Sequence, residues 1–275
     1  MNIFSPIIAI FHTVIINPII NVLVAIYHLL VLAHIPSPLG FSIIGLTIVI
    51  RLILYPLISA QLRASKKMQA IAPHLSDLKQ KHKGDSKRIQ AETMKLYKEH
   101  GVNPAAGCLP TLIQLPVIWG LYNVLNSIVK LHPDKLVNYI NGIVISPLKL
   151  NQAWDTSFFG IPLGHSPSQL MKTLGVAVIL IPVVTGALQF LQSKMIFAPK
   201  PGVKGKKNDD FASAFQSQST YIFPVMIAFF SFSLPLGLSL YWNTFTVFGI
   251  IQQYKIAGLG GLEGVWQKIR KLQKN

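Results

Sequence analysis

From Phe41 to Ile58 the chain runs as a hydrophobic segment of the length that crosses a bilayer, and one residue within it, Arg51, carries a formal charge. A hydrocarbon core about 30 Å thick needs roughly 20 apolar residues in helical form, because every backbone N–H and C=O there must be paired within the segment. A charge near the centre of such a helix costs about 2.5–3.5 kcal/mol on insertion scales, so it faces a bundle interior or a wet cavity and marks function. The bland alternative is an arginine that snorkels along its own stem to nearby polar groups. No Asp or Glu occurs before Asp77 or in any of the chain's long apolar runs, so a closed intramembrane ion pair is not available from within the sequence. The fold must therefore be helical, with several spans gathered around something polar.

Composition agrees: 51% hydrophobic residues, 12% charged residues and a mean hydropathy of +0.47 lie far from the balance of a soluble domain. Uncharged stretches at Val102–Val129, Thr173–Ser193 and Phe211–Tyr254 are each long enough to span, and the last, split by Pro235 and Gly237, is long enough for two passes. Five spans follow, at about Phe41–Ile58, Ala105–Leu125, Thr173–Gln192, Ser219–Leu234 and Leu236–Tyr254. The fourth has about 16 residues, roughly 24 Å of helix against a core of about 30 Å, which predicts local thinning of the bilayer.

The net charge of +16 sets the topology, since Lys and Arg accumulate in loops that stay cytoplasmic. Residues 61–100 carry ten basic groups against four acids, residues 193–218 five against two, and the tail from Lys255 five against one. The 126–172 loop carries only four against two and is placed outside, which leaves the N-terminus outside and the C-terminus in the cytoplasm. Such a pattern accounts for most of the basicity without nucleic-acid binding as the main role.

Chemistry-bearing constellations are absent from the sequence: no metal-ligand spacing, no nucleophile motif, no glycine-rich phosphate loop, no carboxylate cluster. Neither a catalytic residue nor a cofactor or metal is expected, and the single Cys108 reads as a small packing residue. The first fifty residues contain no charge, and they lack both the basic flank of a secretory signal and a lipid-accepting cysteine. Residues 1–40 are read as an N-terminal segment. Between Pro18 and Ala33 an apolar stretch carries Asn17, Asn21 and His28 as one narrow polar stripe, which suits an interfacial amphipathic helix; a short sixth span is the other reading.

Residues 61–100 have helical periodicity of their own. Met68, Ile71, Leu75 and Leu78 form one stripe, and Ile89, Thr93 and Leu96 another after the Lys83–Ser86 turn. A cytoplasmic helical hairpin is predicted, its second helix capped by Asp85 or Ser86 and its first bent or interrupted at Pro73. The stripes pack helix on helix or form a binding face.

Together these residues resemble a known family. The run from Gly40 to Leu57, the hairpin sequence, VNPAAGCLP at Val102–Pro110, FLQSKM at Phe190–Met195 and LPLGLSLYWNTFTVFGIIQQY at Leu234–Tyr254 are similar, in order, to the YidC-type membrane protein insertases. The mitochondrial oxidase-assembly and chloroplast thylakoid insertases share that architecture. The resemblance covers nearly all residues after about 16 and implies an all-α membrane protein with five transmembrane helices around a hydrophilic groove, open to the cytoplasm and sideways to lipid. It further implies a short bacterial form: an insertase core over 41–255, a basic cytoplasmic tail over 256–275, and a place in the bacterial plasma membrane.

On this resemblance Arg51 is the groove arginine, Thr47 lies one turn away on the same face, and Trp242 is a substrate-contacting aromatic flanked by Tyr241 and Asn243. Gln114, Gln189 and Gln192 are in-span amides that wet the groove or tie helices together. The implied partners are nascent membrane proteins and the Sec translocon. The hairpin and the tail, which ends WQKIRKLQKN, offer contacts to the ribosome or to anionic lipid. The expected activity is passage of short polar tails through the groove, without ATP, with apolar segments released into the bilayer by a protein that works as a monomer. A small transporter or channel using Arg51 as an anion site is the competing reading, although the internal repeat that such folds show is not visible here.

Overall fold

In the computed structural model the described residues are 9–101, 109–131, 133–196 and 211–272. They are mostly helical and divide into two compact units. One unit comprises Met1–Ile53, Leu112–Leu188 and Val225–Phe248, the other Leu54–Thr111, Gln189–Pro224 and Gly249–Asn275.

In the first unit, a π-helical turn at His12–Ile16 leads into α1 (Asn17–Leu32), and together they form a continuous helix over Ala9–Leu32. Ile16, Ile20, Leu23, Val24 and Tyr27 lie on its buried face and share one core with Leu39, Ile43 and Leu46 of α2 (Pro38–Ile53). The helix is longer than the apolar stretch read from the sequence: 24 residues, enough by length and composition to cross a membrane. Its polar stripe turns toward protein. Asn21 Oδ1 accepts from Ile145 N at 2.9 Å, Asn21 Nδ2 donates to Asn17 O at 2.8 Å, and His28 Nε2 lies 3.2 Å from Leu148 O.

Those partners belong to the segment expected outside, which is structured. After α5 (Leu109–Lys130), where α3 and α4 lie in the second unit described below, come α6 (Pro133–Asn141), a two-stranded antiparallel hairpin of β1 (Ser157–Phe158) and β2 (Ile161–Pro162), and α7 (Pro167–Leu174). A capping box opens α7: Ser166 Oγ accepts from Gln169 N while Gln169 Oε1 accepts from Ser166 N. Trp154 from the same segment meets the Tyr27 ring edge-on at 5.3 Å. Leu236 N donates to His165 O at 2.9 Å and Gly237 N to Leu163 O at 2.8 Å, so the loop satisfies two of the orphan donors at the start of α10 (Leu236–Ala257). A Cβ at Gly237 would sit 2.6 Å from Leu125 Cδ2, so a larger residue there would make Leu125 shift for α10 to approach α5 this closely.

In the second unit, α3 (Tyr55–Lys81) and α4 (Ser86–Glu99) form the expected hairpin. Ile71 is buried, while the other apolar stripe residues are partly covered. Asp85 is the cap, its side chain accepting from Arg88 N at 3.0 Å. Two expectations change. Pro73 lies inside α3 without interrupting it. The segment read as one span over Phe41–Ile58 is broken after Ile53, with Leu54 between the helices and Pro56 in the opening turn of α3, where a proline lacks the N–H that would continue α2.

The remaining helices are α8 (Leu180–Ile196), α9 (Phe211–Ser233) and α11 (Glu263–Leu272). A 3₁₀ turn extends α8 into an apolar helix over Val176–Ile196, long enough to cross; within α9 the apolar part is shorter, Thr220–Ser233. Pro235 separates α9 from α10, as its position in the sequence predicts. The expectation for Cys108 falls outside the described residues.

Candidate functional site

The site in the first unit is built on Arg51, in the last turn of α2, where a cation also favours the negative end of the helix dipole. Its side chain is only 2% exposed. Nη2 donates to Phe245 O, and the guanidinium carbon lies 3.4 Å from the centroid of the Phe245 ring and 5.9 Å from that of Phe248, both on α10. Nε has no hydrogen-bond partner. The charge is thus held by one neutral carbonyl and two ring faces, a cation–π cradle that stabilises a guanidinium without neutralising it. In this unit's sequence the carboxylates are Asp134 and Asp155, both in the 126–172 segment, and the Asp155 carboxylate accepts from Ser157.

Thr47 is fully buried one turn before Arg51, and its hydroxyl donates back to Ile43 O at 2.6 Å. The threonine's proton is thus already used within its own helix. Tyr241 is buried, accepts from Gln114 Nε2 through its hydroxyl, and stacks on Phe245 at 5.9 Å between ring centroids. Gln114 thus acts as a tie between α5 and α10.

Trp242 points elsewhere: with Phe230, Ser231, Leu234, Leu238 and Ser239 it lines a small pocket. Beside that pocket runs a chain of hydroxyls, Thr185 Oγ1 to Ser231 Oγ at 3.2 Å and Ser231 Oγ to Ser239 Oγ at 2.9 Å, joining α8, α9 and α10. Asn243 is half-buried and its Oδ1 has no partner. Phe245, Phe248 and the hydroxyl chain were not singled out from the sequence. The signal for the two rings was present: Tyr241, Phe245 and Phe248 are four and three residues apart, hence on one face.

Gln189 and Gln192 belong to the second unit, so the structure does not assemble them with Arg51 in one compact body. Other amides make hydrogen bonds within that unit. Gln69 Nε2 donates to Ile196 O at 2.5 Å and Gln253 Nε2 to Met195 O at 3.3 Å, which satisfies carbonyls at the end of α8. Gln252 Nε2 bonds Ser59 Oγ at 3.1 Å.

Two apolar helices, Ala9–Leu32 and Val176–Ile196, are long enough to cross a membrane, and with the buried Arg51 they mark a helical membrane protein. Residues 31–259 match the family model described as 60Kd inner membrane protein, and the chain belongs to that family, which includes the YidC-type membrane protein insertases. The membrane protein insertase YidC of Fusobacterium nucleatum is 34% identical over 221 residues, 80% of this chain and 87% of that protein. MisCA, a membrane protein insertase of Bacillus subtilis, is 32% identical over 223 residues, 80% of this chain and 70% of its own length. The chloroplast inner membrane protein ALBINO3 of Arabidopsis thaliana is 34% identical over 83% of this chain. A crystal structure of an active YidC insertase with its first transmembrane domain resolved superposes with a TM-score of 0.52 at 25% identity over 92% of this chain. The chain spans about half the length of ALBINO3 and of that crystallised insertase, 48% and 47% respectively.

Proposed function

We propose that this protein inserts membrane proteins: it receives a short polar tail of a nascent chain at a hydrophilic groove containing Arg51 and releases the adjoining apolar segment into the lipid. The observation that carries the reading is the incompletely satisfied guanidinium, buried, unpaired at Nε and held by a carbonyl and aromatic faces. A carboxylate or peptide carbonyl of the substrate supplies what the chain withholds. Bidentate pairing with a carboxylate adds a second bond and a counter-charge to what the single bond to Phe245 O supplies. Because that bond and the ring stack already stabilise the resting guanidinium, the gain is moderate and the substrate can leave. Burial of the released apolar segment, at about 25 cal/mol per Å², then supplies the driving force without ATP.

Five spans with the N-terminus outside, a bacterial plasma membrane location and action as a monomer complete the proposal, supported by the distribution of basic residues and by the bacterial relatives. Nascent membrane proteins are the substrates; the Sec translocon and the ribosome are proposed partners. Insertion is favoured over solute transport because the matched relatives are named as insertases.

The test is reconstitution of the purified chain in liposomes with single-spanning substrates of acidic, neutral and basic tails, read by protease protection. Arg51→Ala should lower insertion of the acidic-tailed substrate about ten- to a hundred-fold, the worth of a hydrogen bond to a charged group. Arg51→Lys should retain most of it. Unchanged insertion of the acidic tail by the alanine variant would refute the role of the groove charge.

A further inference from the structure

The helix after the last span has no place in the insertion reading. Helix α10 ends at Ala257 with Lys255 in its last turn, and α11 begins at Glu263 after a short connection. That connection is narrowly specified. Gly258 and Gly260 adopt positive φ, +83° and +53°, and a Cβ at Gly260 would stand 1.9 Å from Met195 O, so the chain presses directly on the end of α8. A linker to a free tail has no need of such a turn.

What the turn delivers is a strongly amphipathic ten-residue helix. In sequence, Val265, Trp266, Ile269 and Leu272 follow one-, three- and four-residue spacings, with Lys268, Arg270, Lys271 and Lys274 among them and Glu263 as the lone acid. Trp266 is 46% exposed and Leu272 is 77% exposed, although both are large and apolar. Arg270 stands 5.7 Å from the Trp266 ring, so the cation and the aromatic reach the same surface.

We infer that α11 is a membrane-surface anchor for anionic phospholipid: Trp266 and Leu272 enter the boundary between headgroups and acyl chains, and the basic residues meet the lipid phosphates. Three features favour lipid over ribosomal RNA. The helix starts six residues beyond α10, and the glycine turn presses that connection on the end of α8, whose apolar helix Val176–Ile196 is long enough to cross a membrane. Its exposed residues pair a tryptophan and a strongly exposed leucine with the cations, the combination that seats a helix in an anionic lipid interface. By holding Gly260 against Met195, the anchored helix also braces the end of α8 while substrate passes.

The test uses the full chain, Cys108→Ser, with a spin label at Trp266→Cys, in nanodiscs of phosphatidylcholine alone or with phosphatidylglycerol. Relative accessibility to oxygen and to a water-soluble nickel complex reports depth. The label should lie below the headgroups in the anionic discs and rise toward water at high salt. Replacing Arg270 and Lys271 by Gln should lower the ratio of inserted to free helix about fivefold per residue. A second label at Leu272→Cys guards against loss of the Trp266 anchor itself. Labels in water in both lipids, or buried only when ribosomes are added, would overturn the inference.

Discussion

At Arg51 the protein leaves a buried cation partly unsatisfied, and the neighbouring residues show how that is made tolerable. Phe245 serves twice, its carbonyl accepting from Nη2 and its ring lying under the guanidinium, while Tyr241 stacks behind the ring and is fixed by Gln114. Tyr241→Phe should therefore act as a structural lesion: it leaves the Gln114 amide without its acceptor and lowers stability by about 1–3 kcal/mol. Adding Gln114→Leu should return much of that loss, and thermal unfolding in detergent with the double-mutant cycle reads it directly. Additive losses would show that the bond contributes nothing. The pairing of Thr47 with Arg51 is legible in sequence because residues four apart on a helix share a face. That Phe245 rather than Trp242 meets the arginine is not, since it depends on how α10 is rotated against α2.

Among the elements, proline acts according to its place. Pro56 in the first turn of α3 coincides with the break after Ile53, whereas Pro73 gives up a single backbone bond in the middle of a 27-residue helix that continues on both sides. At the second helix of the hairpin, Asp85→Ala should cost about 1 kcal/mol through loss of the cap, and faster amide exchange at Arg88 and Ile89 would show it; exchange unchanged there would remove the cap from the account. The apolar part of α9, Thr220–Ser233, is fourteen residues, roughly 21 Å of helix against about 30 Å of hydrocarbon. Bilayer thinning beside it is the expected result, measurable as depth of spin labels at the exposed Val225 and Phe229. Labels reporting full thickness would sink that idea. Charge alone reads residues 126–172 as a loop and does not reveal their helices and hairpin. Pieces of eight or nine residues, such as α6 and α7, carry little periodic signal, and the residues between them, Ile145, Leu148, Trp154, Leu163 and His165, dock on Asn21, His28, Tyr27 and the start of α10.

For the molecule as a whole, the proposed orientation can be tested at its N-terminal helix. Ala9→Cys in a Cys108→Ser background should react with an impermeant thiol reagent added outside intact cells, as an N-terminus on that side requires; reaction only after the membrane is opened would mean that Ala9–Leu32 crosses it. The same helix shows where sequence reasoning stops. Its polar stripe was visible, but a stripe that faces headgroups and one that hydrogen-bonds another part of the chain have the same periodicity, and here Asn21 and His28 bond residues more than a hundred positions away. By itself the sequence determined the helical class, the single charge in a long apolar run, the lack of a carboxylate in such runs and the uneven distribution of basic residues, because those follow from composition, local periodicity and the cost of charge in hydrocarbon. Only the tertiary structure decided which rings hold Arg51, which amides close the end of α8 and what caps the start of α10. Each of those depends on the rotation and approach of helices distant in sequence, set by side-chain packing such as the contact of Gly237 with Leu125.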